Sequence, residues 1–166
     1  MVMQLDETHD GKTKSWVTSA NGHADFPLQN LPLGIFSAGK GDTARGGVAI
    51  GDEVLDIKAA CDAGLFSGQA QQAARAASAS TLNELMALGA GARAALRKQV
   101  FALLTEGGGA QAHAARVLYK AAECTVHMPA KIGAFTDFFA GITHAENGGK
   151  RRGSNPPCNR SPRSSG

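Results

Sequence analysis

The chain has 166 residues, low aromatic content (5%) and 21 glycines, enough length for one domain with a core of small aliphatic side chains. Its net charge of +3 is uneven: residues 148–166 carry five basic side chains (Lys150, Arg151, Arg152, Arg160, Arg163) and no acidic one, and taking these from the 17 basic residues leaves 12 against 14 acidic over residues 1–147, a net charge of −2. No 18-residue apolar run and no basic-then-apolar leader argue against membrane insertion and secretion, while three scattered cysteines (Cys61, Cys124, Cys158) outside any CxxC spacing suit a reduced, cytoplasmic chain without a disulfide framework or zinc site.

Residues 1–24 are polar and turn-rich apart from Trp16-Val17, so 1–14 is expected to be a disordered arm ahead of one apolar anchor. The run Asp25–Gly34 holds Pro27 and Pro32; proline fixes φ and removes a donor, which predicts extended chain that is not a central strand. Gly34–Ala38 reads as a short strand. Gly47–Ile50 and Glu53–Asp56 then flank Gly51-Asp52, a two-residue hairpin turn, and the alternation of Val48 and Ile50 with small residues suits a half-buried strand. Asp56 is placed to cap a short helix over 57–63, stopped by Gly64. Thus 33–56 predicts a small antiparallel sheet.

From 67 to 121 the period becomes helical. Gln69–Ala77 is polar and alanine-rich; Thr81-Leu82-Asn83-Glu84 has the form of a capping box, with Leu82, Leu85 and Met86 on one face and Gly89 or Gly91 as the stop. Ala92–Leu104 places Leu96, Val100, Leu103 and Leu104 on one stripe, with Arg93, Arg97 and Lys98 outside. After Gly107–Gly109, a further helix is expected over 110–121 with Val117 and Leu118 inward, then an extended connector over 124–129. The leucine stripes are core positions without chemistry. His127 lies on the polar side of its segment and reads as a surface or hydrogen-bonding histidine, as do His9, His23 and His113. The glycine runs fit neither GxGxxG nor GxxxxGK[ST], and no GxSxG, HExxH or DxDxDG pattern occurs.

One strip carries chemistry. Asp137 lies seven residues before His144 in an aromatic segment, which sets one hard-oxygen ligand beside one titratable base, the working parts of a hydrolase. One carboxylate cannot hold calcium or magnesium, which take about six or more oxygens. The basic tail offers charge for nucleic acid but no aromatic platform and no helical period, so a solvated disordered end is the expectation, with no nucleic-acid or membrane partner.

Several stretches together resemble the fumarylacetoacetase family. They are Ser19-Ala20-Asn21, Asp25–Phe36, Gly47–Asp56, Thr81–Gly89, His127–Gly133, Thr136-Asp137-Phe138 and His144-Ala145-Glu146-Asn147, in order over about residues 15–149. The resemblance implies an α+β fold: a small N-terminal SH3-like β-barrel with accompanying helices over 15–130, then the start of a large mixed-β catalytic domain over 131–149 and a basic disordered tail over 150–166. It implies hydrolysis of the carbon–carbon bond of 4-fumarylacetoacetate to fumarate and acetoacetate, the last step of tyrosine and phenylalanine catabolism, with calcium or magnesium and in a homodimer. Asp137 then matches a metal-ligand carboxylate and His144 the histidine that activates water. Phe139 stands where the family commonly has a substrate-contacting tyrosine. Arg152 is the residue nearest to a substrate-binding arginine, one position off the family spacing. The remaining ligands and oxyanion groups belong to the rest of the large domain, so this chain alone is expected to be inactive. The closing Arg/Ser/Pro string reads as a shifted reading frame or a truncated gene model. A non-catalytic structural or interaction domain is the alternative.

Overall fold

The computed structural model describes residues 6–134 and 141–152. They divide into two compact units that part between Lys131 and Ile132.

The first unit is α+β. Its strands are β1 (Leu33–Ala38), β2 (Arg45–Ile50), β3 (Glu53–Asp56), β4 (Leu118–Lys120) and β5 (Cys124–His127), all antiparallel, in the order β4-β3-β2-β1-β5. The first four form a meander and the last returns beside the first, which is the connectivity of an SH3-like barrel. The hairpin between β2 and β3 turns on Gly51 at φ +54°, a left-handed value glycine takes without a steric penalty, with Val48 opposite Leu55 and Ile50 opposite Glu53. The segment 25–32 stays outside the sheet as the prolines require, and lies against it: the Phe26 carbonyl accepts from the Gly51 amide and the Pro32 carbonyl from the Ala49 amide. Pro32 thus contributes an acceptor to the sheet where it lacks a donor, while the Pro27 carbonyl takes the Asn30 amide within the segment.

Helices α1 (Ile57–Asp62), α2 (Gly68–Ala77), α3 (Asn83–Ala87), α4 (Gly89–Leu104) and the single turn α5 (Ala114–Val117) accompany the sheet. Asp56 caps α1, its carboxylate accepting from the Ala59 amide at 2.9 Å, and Gly64 follows at φ +73°. The buried face of α2 is Ala70, Ala73, Ala74 and Ala77, and such short side chains let the backbones of α2 and β2 come close. A Cβ on Gly46 would collide with the Ala77 carbonyl, so β2 carries glycine there for space. The stripe Leu96, Val100, Leu103, Leu104 of α4 is buried as its spacing predicts.

Several elements differ from the sequence reading. The capping box at Thr81 does not form: Leu82 is the N-cap residue and no side chain caps α3. The Leu82 amide donates instead to the Pro129 carbonyl at 2.7 Å, while the Asn83 amide group exchanges two hydrogen bonds with the Lys131 backbone. Met86 is 48% exposed, whereas Leu82 and Leu85 are buried. The helix expected over 110–121 is broken into a 3-10 turn, α5 and β4, because Leu118, Tyr119 and Lys120 pair with Leu55, Val54 and Glu53. A sheet edge outweighs local alanine propensity there. The connector at 124–127 is a strand, β5, paired to β1.

The N-terminal arm is folded from Asp6 onward. Asp6 caps a 3-10 turn over Glu7–His9, Thr8 is 1% exposed, and the Gln29 side chain donates to the Asp10 and Thr13 carbonyls. Ser15 and Trp16 finish α4: the Ser15 hydroxyl donates to the Leu104 carbonyl at 2.6 Å and the Trp16 indole to the Leu103 carbonyl at 2.9 Å. These carbonyls belong to the last turn of a helix, which has no partners of its own. The arm is held because it supplies donors that the helix end needs.

In the second unit, α6 (Ile142–Arg152) is the described element. Residues 150–152, expected as the start of a disordered tail, belong to this helix. The rest of the tail lies outside the described residues.

Candidate functional site

The sequence places four residues at the site. Asp137 and Phe139 lie outside the described residues. His144 falls in the first turn of α6 and Arg152 at its last position. Eight residues of α-helix separate these two by about 12 Å along the axis. Both are therefore on one element, two turns apart. Among the described residues, no group of three or more His, Cys, Asp or Glu gathers to hold a metal ion.

The first unit holds a different cluster, which the sequence reading missed. Arg45, 8% exposed, reaches the Asp56 carboxylate through Nε at 2.6 Å, and through Nη1 the Asp42 carboxylate at 2.6 Å and the Thr43 carbonyl at 2.8 Å. Its guanidinium lies 5.0 Å from the Phe36 ring centre and 5.6 Å from that of Tyr119. Burial works to lower the Arg45 pKa; the two carboxylates outweigh it and the net direction is upward. Asp42 is held below the usual carboxylate range by the Arg45 guanidinium and then by the Ala38 amide. Register explains the cluster: Gly47 pairs with Asp56, so Arg45, two residues earlier, lies diagonal to Asp56 on the same face, and Phe36 pairs directly with Arg45. That diagonal was the signal available in the sequence. The charges satisfy one another, and Asp56 also caps α1. This cluster locks strand to strand and sheet to helix, and leaves no free nucleophile or base.

The histidines of this unit take the surface and hydrogen-bonding roles expected. His127 on β5 shares a 2.9 Å hydrogen bond with Ser37 on β1. His23 accepts from the Asp25 and Phe26 amides, and His9 sits 3.0 Å from the Asp6 carboxylate. Cys61 and Cys124 are free thiols, and burial, with Glu123 adding to it, pushes the Cys124 thiol upward, away from a reactive thiolate. No helix of the described residues is long and apolar enough to cross a membrane.

With a five-stranded barrel-type sheet and no reactive pair in its body, the first unit needs comparison with known proteins to be placed. A family model described as "Fumarylacetoacetase N-terminal" matches residues 29–129. The chain belongs to the fumarylacetoacetase N-terminal family. Its relatives include a fumarylacetoacetase of Caenorhabditis elegans, 42% identical over 142 residues, covering 82% of this chain and 33% of that protein. A rat fumarylacetoacetase is 37% identical over 131 residues (76% of this chain, 31% of the relative), and the human one 36% over 132 residues (76% and 31%). The chain thus spans about a third of the length of the curated relatives it matches. The relatives are hydrolases by name, and the family-matched part of this chain is the α+β unit that ends near Pro129.

Proposed function

We propose that this chain is the N-terminal portion of an enzyme that hydrolyses the carbon–carbon bond of 4-fumarylacetoacetate to fumarate and acetoacetate. The observation that carries the reading is the family match over 29–129 together with the strip Thr136–Asn147 a few residues beyond it. In this reading His144 takes a proton from water as general base, and neutral imidazole near pH 7 suits that task. Asp137 gives one carboxylate to a calcium or magnesium site completed by residues outside this chain. Phe139 packs against the substrate chain without the hydroxyl of a tyrosine, and Arg152 pairs with a substrate carboxylate. The compartment is reducing and cytoplasmic, and the assembled enzyme is a homodimer.

The 166 residues alone do not turn over substrate, because one carboxylate and one base leave the cation and the developing enolate unsupported. The test is to incubate the purified chain with fumarylacetoacetate and calcium and to follow substrate absorbance. No loss above the buffer rate is expected; a rate proportional to protein concentration, removed by His144→Ala, overturns the claim of inactivity.

A second reading, a non-catalytic interaction domain, draws on the exposed apolar residues next to the β5 edge. Val126 is 80% and Met128 69% exposed. Concentration-dependent self-association with hydrophobic-dye binding supports it, and a monomer that binds no dye contradicts it.

A further inference from the structure

A recess of about 160 Å³ opens between the sheet and the helices of the first unit, with Leu33 and Val48 on the sheet side, Leu85 of α3 on another, and Leu96 and Val100 of α4 as its floor. Arg93 and Arg97 also line it. On α4 these two stand one turn apart, on the same face as Leu96 and Val100, and a like-charged pair at that spacing repels. Among the described residues neither guanidinium makes an ion pair with a carboxylate. Arg97 spends donors on the Gln29 carbonyl and the Thr8 hydroxyl; Arg93 has one long contact, 3.4 Å to the Met86 carbonyl. Most of the Arg93 fork is therefore free, beside an apolar hollow.

We propose that this recess binds a small aliphatic carboxylate, the hydrocarbon seated on Leu85, Leu96 and Val100 and the carboxylate received by Arg93 with Arg97 beside it. Size sets the hydrocarbon: an apolar cavity of about 150 Å³ accepts benzene, so the recess accommodates about six carbons and excludes a nucleotide or a drug-sized ring system. The fork sets the head group. A planar carboxylate matches one guanidinium bidentately and relieves the repulsion between the two arginines. The site lies wholly in the first unit and stands or falls independently of the hydrolase reading.

The experiment is an amide-resolved NMR titration of the full chain with hexanoate, hexan-1-ol and acetate. Hexanoate is expected to give saturable shifts centred on Leu85, Leu96 and Val100, with hexan-1-ol about tenfold weaker for want of the charge-assisted hydrogen bonds. Acetate, without the chain, gives no saturation. Arg93→Gln, an exposed change, lowers hexanoate affinity to that of hexan-1-ol while leaving hexan-1-ol unmoved. Leu33→Phe, at the half-buried rim, blocks both ligands with an unchanged far-ultraviolet spectrum. Absence of saturable hexanoate shifts at millimolar concentration, equal affinity for hexanoate and hexan-1-ol, or full hexanoate binding by Arg93→Gln each overturns the proposal.

Discussion

Replacing Asp56 with alanine removes two supports at once, and the structure allows their sizes to be separated. Asp56 is 2% exposed; one oxygen takes the Arg45 Nε at 2.6 Å and the other the Ala59 amide at 2.9 Å. Losing the cap costs about 1 kcal/mol. Breaking a buried ion pair by removing one partner costs about 3–5 kcal/mol, because the other charge is left behind. Here Arg45 keeps Asp42 at 2.6 Å and two aromatic faces, so the lower end of that range applies. Asp56→Ala is therefore expected to lose about 3–4 kcal/mol in all, since neighbouring losses do not add fully. Asp56→Asn keeps an acceptor for the Ala59 amide and recovers about 1 kcal/mol of it, the part due to the cap. Asp42→Ala, at a carboxylate one-third exposed, loses less than either. Urea unfolding followed by far-ultraviolet circular dichroism of the full chain measures all three. A loss below about 1 kcal/mol for Asp56→Ala, or a larger loss for Asp42→Ala, would refute the view that the inner pair holds the strands together.

Other outcomes follow from the packing and the charges. Gly46→Ala is expected to destabilise by about 3 kcal/mol in the same unfolding assay, because its methyl group meets the Ala77 backbone, which cannot swing aside as a side chain can. Thr81→Ala is expected to change stability by less than about 0.5 kcal/mol, since Leu82 and not Thr81 begins α3; a loss of about 1 kcal/mol would restore the capping box. The Thr8 hydroxyl, working against desolvation and helped by the Thr8 amide and the Lys98 charge, holds Asp6 at a pKa of about 2. The folded pKa lies below the ordinary 3.8, so the stabilisation is present above pH 3.8 and is lost as pH falls through about 2. An NMR titration of the Asp6 carboxyl carbon should show that midpoint, and Lys98→Ala should raise it.

Where local chemistry and tertiary pairing agree, the sequence was readable. The β2–β3 hairpin combines alternation with a glycine turn, α1 has its aspartate cap and glycine stop, and α4 has an unbroken leucine stripe. The continuous helix expected over 110–121 was a misreading because its alanines favour helix while a distant edge, Glu53–Leu55, recruits Leu118–Lys120 as strand. The arm was misread because its order depends on donors for carbonyls at the end of α4, nearly 90 residues away in sequence. Of the residues expected at the site, His144 and Arg152 share a helix that the glycines of Ile142–Arg152 had concealed, and Asp137 and Phe139 lie outside the described residues. Arg45 was hidden by its setting among glycines and small polar residues, which reads as loop until the hairpin register puts it diagonal to Asp56.

The central claim is that this chain carries the N-terminal third of a fumarylacetoacetate-hydrolysing enzyme, with His144 as its base. Its most direct test is a chimera in which residues 15–149 replace the matching stretch of the Caenorhabditis elegans fumarylacetoacetase, assayed for fumarylacetoacetate hydrolysis with calcium or magnesium. The chimera is expected to turn over substrate, and His144→Ala within it to lower kcat at least about a hundredfold, the scale of a lost general base, without unfolding the protein. A folded chimera that is inactive, or one whose rate is indifferent to His144→Ala, would contradict the account.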